Sequence, residues 1–225
     1  MVGTQPRQAR RCTTGSVHPL GSARTAYAAV AVRRLNAFRS PGTGPLATYG
    51  MLNQNGVPTV FGVIGASVRK DCTPRWYRVQ LPQRPNGASG WVRAADVELA
   101  AVHTRIVVDL SARRLTFFRD GRPRLTTTVA IGAPATPTPT GRYYVNQRLV
   151  PRDTTGPYGP AAIGVSAFSN VLTGWTQGGP IAIHGTNEPS SIGHAASNGC
   201  IRAPNDVVRR LFMMALAGTP VIIRA

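Results

Sequence analysis

Lysine and acidic residues are what this chain has least of. Of its 26 basic residues only Lys70 is a lysine, and 8 acidic residues leave a formal net charge of +18 and a pI near 11.6. Residues 1–100 carry 13 basic and 3 acidic side chains, and residues 101–225 carry 13 and 5, so no acidic domain offsets a basic one. Such a field attracts polyanions, whether nucleic-acid phosphates or a wall or membrane surface, and charge alone does not choose between them. The basic residues are dispersed from Arg7 to Arg224 without a recognised nucleic-acid motif, which ranks the nucleic-acid reading last.

Cysteine is scarce as well. Cys12, Cys72 and Cys200 stand far apart with no C-x-x-C pair, which argues against a zinc or thioredoxin-type site, and one of them must remain unpaired. For Cys12 and Cys72, two unrelated thiols rank ahead of a disulfide. No stretch approaches the ~20 apolar residues of a membrane span, the longest soft run being residues 26–32. The start, MVGTQPRQARRCTTGSV, is basic but has no apolar core behind it, so no standard secretory signal is visible. Internal repeats are lacking.

What is present suffices for folding: 225 residues, 42% of them hydrophobic, allow one large or two modest domains. Residues 1–25 are polar and aperiodic, and read as a disordered leader or tail. Residues 26–100 alternate short strand-like pieces (59–64, 76–81, 90–92) with Pro, Gly and Asn clusters, the pattern of a small antiparallel barrel. The run WYRVQLPQRPNGASGWVRAADV is similar to the end of a bacterial Src-homology-like (SH3-like) barrel. On that resemblance Trp76 and Trp91 form either a binding surface or core, and core ranks ahead.

A junction is expected at 98–103, opening a third segment, residues 101–225. There 105–110 and 114–119 flank a turn, and Asp120-Gly121 closes the second strand as a hairpin. Strands are expected at 125–131 and 142–145, with a rigid Pro/Thr loop between them. A helix follows Cys200 through DVVRRLFMMALAG, capped by Asn205 or Asp206, with Val207, Val208, Leu211 and Met214 on its apolar side and Gly218 at its end. Met213 and Met214 read as core rather than as metal ligands. A last strand is expected at 219–223.

The chemistry concentrates in IAIHGTNEPSSIGHAASNGCIRAPNDV. Residues 181–183 read as a buried strand whose end presents His184, and 197–201 as a tight loop presenting Cys200. A thiol needs a neighbouring base or positive field to act as nucleophile near neutral pH, and His184 is the candidate base. Backbone N–H groups of Gly199 and Cys200 are candidate oxyanion donors. A Cys and a His sixteen residues apart are, by spacing alone, more often structural than catalytic.

The ordered blocks change that balance. His184-Gly185-Thr186, Ser197-x-Gly199-Cys200-Ile201-Arg202 and Asn205-Asp206-Val207, with I-V-V-D-L-S-A-R-R-L, V-A-I-G, T-P-T-P-T-G, Tyr158-Gly159-Pro160 and G-T-P-V-I-I around them, resemble the L,D-transpeptidase catalytic domain, also called the YkuD-type domain. The resemblance spans 104–225. Together with the barrel resemblance it implies a mainly β fold, a small SH3-like barrel followed by a β-rich transpeptidase domain with a short α-helix after the catalytic loop, and no cofactor or metal. It implies that Cys200 attacks the carbonyl of the third residue of a peptidoglycan stem, releases the terminal D-Ala, and forms a thioester that an acceptor amine resolves.

By position, His184 then moves the proton, Ser197 orders the loop or touches substrate, and Arg202 holds the loop or a substrate carboxylate. Gly185, Thr186 and Asn198 flank the substrate, and Tyr158 and Trp175 either contact the stem or pack loops. Many members carry S-H-G-C where this chain has S-N-G-C. Asn198 therefore leaves His184 as the base; His194 reads as a surface or substrate-contacting residue rather than a catalyst, and His103 and His18 lie outside the motif. Water in place of the amine gives an L,D-carboxypeptidase, the nearest rival, and a non-catalytic basic wall-binding module is the next. The expected partners are stem peptides and wall or membrane-surface polyanions, with no nucleic acid. The expected compartment is extracytoplasmic, which requires a leader not visible in this chain or a misplaced start.

Overall fold

The computed structural model describes residues 12–225; residues 1–11, the beginning of the expected leader, lie outside the described residues. Eight strands come first: β1 Val17–Pro19, β2 Ala26–Ala31, β3 Leu35–Ser40, β4 Thr43–Tyr49, β5 Val60–Val68, β6 Pro74–Gln80, β7 Ser89–Arg93 and β8 Val97–Val102. They form an antiparallel sheet in the order β4-β3-β7-β6-β5-β2-β8, with β1 added against β5. The pairings run as an open path from β4 to β8 where a closed barrel was expected. Even so, Ala29, Leu35, Phe61, Val79, Val92 and Val97, drawn from strands along the whole path, share one buried cluster, so the sheet bends over a single core. Trp76 is buried, its ring meeting Phe38 edge-on, which agrees with the core reading of that residue.

Residues 12–25, expected to be without order, are tied into this sheet. β1 pairs with β5, and Cys12 forms a disulfide with Cys72 across 60 positions of sequence. This corrects the expectation of two unrelated thiols. The Cys12 N–H donates to the Lys70 carbonyl at 3.0 Å, and this pairing of distant backbone, absent from any local pattern, lays the two cysteines side by side.

The chain leaves the first sheet at His103, where β8 ends and the second begins. Its strands are β9 Thr104–Asp109, β10 Arg114–Arg119, β11 Arg122–Thr128, the short β12 Ile131–Gly132, β13 Gly141–Leu149, β14 Ala162–Phe168, β15 Pro180–His184, the short β16 Ala195–Ser197, β17 Ile201–Arg202 and, after the helix, β18 Pro220–Arg224. The sheet order is β11-β10-β9-β18-β13-β14-β15-β17, with β12 and β16 paired separately. Alternation explains the inward faces: Ile106 and Val108, Leu115 and Phe117, Ile181 and Ile183, and Val221 and Ile223 all enter one core. The β9–β10 turn is set by Asp109, whose Oδ1 accepts the Ser111 hydroxyl and the Ala112 N–H, both at 2.9 Å.

The stretch 148–164 is strand through Leu149 and strand again from Ala162. The expectations about the helix need correction. Helix α1, Asn205–Met214, starts after Pro204 without a side-chain cap, because Asn205 is occupied elsewhere, and it stops at Met214, four residues before Gly218. Val208 and Leu211 are buried and Val207 and Met214 pack beside them, but Met213 is exposed.

The two sheets touch where β13 meets β5. The Tyr144 hydroxyl donates to the Val60 carbonyl at 3.0 Å, and its ring lies over Gly62, where an added Cβ would stand 2.9 Å from the ring. Gln80 Nε2 donates to the Arg142 carbonyl at 3.0 Å nearby. The second sheet thus presents the edge bearing β15 and β17 on one side of a firm interface.

Candidate active site

The site grows from the parallel pairing of β15 with β17. Ile183 registers with Ile201 and His184 with Arg202, so Cys200, one residue before β17, comes level with Ala182. The Ala182 N–H is a hydrogen-bond partner of the Cys200 thiol, and the Pro180 carbonyl lies 3.9 Å from the sulfur. Ala182 and His184 are two apart on one strand and face the same side, so the base candidate stands one strand repeat from the residue level with Cys200.

The loop that delivers Cys200 is tight for stated reasons. Gly199 adopts φ +107°, open to glycine at no cost, and a Cβ there would press on Ile181. Ser197 is buried; its hydroxyl donates to the Cys200 carbonyl at 2.5 Å and accepts the Gly199 N–H at 3.1 Å. Ser197 is therefore a loop-ordering residue. The Gly199 N–H, expected to serve an oxyanion, is already engaged by it.

His184 is buried, and its Nδ1 lies 2.5 Å from the Gly185 carbonyl. A carbonyl only accepts, so Nδ1 carries the hydrogen and the lone pair of the neutral ring sits on Nε2. The Tyr158 ring meets the imidazole edge-on at 5.0 Å. Burial drives the His184 pKa down from 6.5 to about 4; the Gly185 hydrogen bond opposes this and the Arg202 charge adds to it. Burial likewise pushes the Cys200 thiol up, opposed by the Ala182 N–H and by Arg202. At neutral pH the resting pair is accordingly neutral thiol and neutral imidazole.

Around this pair, Asn205 makes a two-way bond with Thr186: the Thr186 N–H donates to Oδ1 at 2.8 Å and Nδ2 donates to the Thr186 carbonyl at 3.0 Å. Thr186 is buried and its hydroxyl accepts the Glu188 N–H, so it shapes the loop rather than facing a ligand. Arg202 is paired with Glu188 at 2.6 Å, which favours holding the loop over gripping a substrate carboxylate. His194 is exposed, and its backbone bonds Ile131 and Ser191.

A cleft of about 940 Å³ opens over the thiol, lined among others by Asn55, Gln147, Tyr158, Trp175, Asn198 and Cys200. Val150, Tyr158, Val171 and Trp175 leave half or more of their surface exposed on or beside it, an apolar rim of the kind that ligand clefts carry. Sequence reasoning found Tyr158, Trp175, Asn198 and Cys200. It missed the Gly185 carbonyl as the group that fixes the imidazole, Asn205 as the tie behind it, and Asn55, which enters from the first sheet. The ordered N-D-V block held Asn205, but a helix cap was the nearer reading.

The acid limb of stability follows from His184. Unfolded, the ring titrates near 6.5, and folded near 4, so the unfolded chain binds the proton first as pH falls. The stability that the neutral buried ring contributes is complete above pH 6.5 and is lost as pH falls toward 4. Denaturant midpoints should report a loss of roughly 3 kcal/mol between pH 7 and pH 4. A His184→Gln protein, with no titrating ring, should lose clearly less over the same range.

An open cleft over a thiol, a buried neutral imidazole fixed in one tautomer, and a mainly β scaffold describe a candidate cysteine site of acyl-transfer type. The chain belongs to the L,D-transpeptidase family: the model of the L,D-transpeptidase (YkuD) catalytic domain matches residues 103–223. It is 36% identical over 118 residues to YkuD of Bacillus subtilis, covering 52% of this chain and 64% of that protein. It is 31% identical over 128 residues to YqjB of the same organism, covering 52% and 69%. Both relatives are assigned to the L,D-transpeptidases provisionally. The chain thus spans about two thirds of the length of these relatives. Among solved structures, an L,D-transpeptidase from Mycobacterium smegmatis superposes with a TM-score of 0.46 at 18% identity, covering 74% of this chain and 90% of that one.

Proposed function

We propose that the protein is a peptidoglycan L,D-transpeptidase that works through a thioester on Cys200. The observation that carries this reading is His184, buried, neutral and held by the Gly185 carbonyl with its Nε2 lone pair left for the thiol proton. In the first step Cys200 Sγ bonds to the carbonyl carbon of the third stem residue while His184 Nε2 takes the thiol proton. The Cys200 N–H stabilises the oxyanion, the role expected also of Gly199 falling away because Ser197 engages it. The C–N bond breaks, and the proton passes from His184 to the leaving amine of D-Ala. An acceptor amine then attacks the thioester, gives its proton to His184, and the thiol is restored. Tyr158, Trp175 and Asn198 contact the stem, and Arg202, through its charge, eases thiolate formation.

The low imidazole and high thiol pKa mean that the proton moves together with attack rather than before it. Alkylation of the free protein by iodoacetamide should keep rising with pH through 9 rather than level off near 7; a plateau near 7 would show a preformed thiolate pair.

The first sheet is read as an SH3-like module. The Cys12–Cys72 disulfide favours an oxidising, extracytoplasmic compartment, and a net charge of +18 suits contact with wall or membrane-surface polyanions. The direct test is incubation with tetrapeptide-stem muropeptides followed by mass spectrometry. Released D-Ala with cross-linked dimers supports the transpeptidase, tripeptide without dimers replaces it by the carboxypeptidase, and no release of D-Ala contradicts both.

A further inference from the structure

The wall of the cleft that carries Trp175 is anchored from outside its own sheet. Residues 169–179, which join β14 to β15, close on themselves: the Ser169 N–H donates to the Gly179 carbonyl at 2.8 Å, and the Gly178 N–H donates to the Trp175 carbonyl at 2.7 Å. Most of this loop is exposed, so side-chain burial gives it little stability of its own. Gln177 also sits at φ +60°, a conformation that a non-glycine residue holds only when its surroundings impose it.

The surroundings are supplied by the first sheet. Arg84 Nη2 donates to the Ser169 carbonyl at 2.5 Å and to the Gly178 carbonyl at 2.8 Å, joining the two ends of the loop. Asn86 accepts the Phe168 N–H and donates to the Phe168 carbonyl, both at 2.8 Å, at the strand end from which the loop departs. On the cleft side Asn55 Oδ1 accepts from Gln177 Nε2 at 3.0 Å, and Nδ2 of Asn53 and of Asn55 donate to Gln147 Oε1 at 3.0 and 2.9 Å. Two loops from the first sheet therefore grip the wall at its base and at its strained residue.

We propose that Arg84 and Asn55 are positioning residues: through them the first sheet holds the Trp175 wall in the shape that binds the donor stem peptide. The clamp touches neither Cys200 nor His184, so it governs substrate binding and leaves the thiol chemistry alone. This rests on the reading of the cleft as the donor site. The wall bonds themselves do not depend on that reading.

The test uses the full chain with Arg84→Ala, Arg84→Lys and Asn55→Ala. In Arg84→Ala, amide hydrogen exchange across 170–178 should accelerate by about tenfold or more while the strands of both sheets keep their protection. The KM for a tetrapeptide-stem muropeptide should rise about tenfold with kcat held within about twofold, and the rate of Cys200 alkylation by iodoacetamide should not change. Arg84→Lys should recover part of the protection, since an ammonium still donates but lacks the fork. Asn55→Ala should raise exchange near Gln177 and raise KM. Unchanged exchange in both alanine variants would overturn the clamp, as would a fall in alkylation rate equal to the loss of turnover, which marks damage to the site itself. If the parent protein releases no D-Ala, the transpeptidase reading fails, and the exchange data still decide whether the clamp exists.

Discussion

A Cys200→Ala protein is expected to fold as the parent does and to lose D-Ala release by a factor on the order of 10⁴ or more. The size follows from covalent chemistry. Without sulfur no thioester forms, and the cleft, Asn198, Tyr158 and Trp175 can only hold the stem near water. Folding survives because Cys200 is partly exposed at the cleft and its thiol makes only weak hydrogen bonds, with the Ala182 N–H and, at 3.9 Å, with the Pro180 carbonyl. The loop around it is ordered by Ser197 through backbone groups that alanine keeps. Retained binding of the muropeptide with abolished turnover is the expected pair of results; retained turnover would remove Cys200 from the mechanism.

Gly185→Ala should be almost as damaging although it deletes nothing. A Cβ at position 185 would collide with Asn205 Oδ1 and stand 2.8 Å from Pro160 Cδ and 3.1 Å from the Gly159 Cα. Neither side can yield cheaply. Asn205 is committed to both backbone groups of Thr186, and Gly159 and Pro160 are buried. Relief must therefore come from moving the 184–186 backbone, and the Gly185 carbonyl that fixes the His184 tautomer moves with it. Overpacking of this kind costs about 1–3 kcal/mol of stability. Turnover should fall about 10²-fold through a misplaced base, since shifts near 1 Å carry penalties of that size. Denaturant midpoints together with kcat check both. A wild-type kcat in Gly185→Ala would show that the carbonyl does not orient the imidazole.

Much of the second sheet was legible because its strands are half-buried and alternate. The residues R-I-V-V-D and R-L-T-F-F-R place Ile106, Val108, Leu115 and Phe117 inward at every second position, and Asp120-Gly121 marks the turn between β10 and β11. β14 was not legible, because AIGVSAF is covered on both faces and mixes small residues with large ones, so it carries no period. The candidate nucleophile and base were legible from ordered motif blocks. What orders them was not: the Gly185 carbonyl bonds the ring of the residue before it through a backbone atom that every residue type shares, and the Asn205 tie and the Arg84 clamp join backbone groups of separate segments. The disulfide failed to register for the same reason. Cys12 and Cys72 become neighbours only once residues 12–19 line up along β5 and the β5–β6 turn, and a polar aperiodic leader gives no sign of that pairing.

Asn198 is the position where this chain departs from the common S-H-G-C pattern, and the structure places it exposed at the cleft beside Cys200. On the proposed mechanism a polar side chain there contacts the stem without taking part in proton transfer, which leaves the acid and base roles to His184.

The measurement that bears most directly on the thioester is rapid-quench mass spectrometry of the protein mixed with a tetrapeptide-stem muropeptide. The account predicts a transient adduct equal in mass to the donor less D-Ala, confined to the peptide that contains Cys200 and absent from Cys200→Ala. Release of D-Ala with no adduct on that peptide, or with an adduct on another residue, would contradict it.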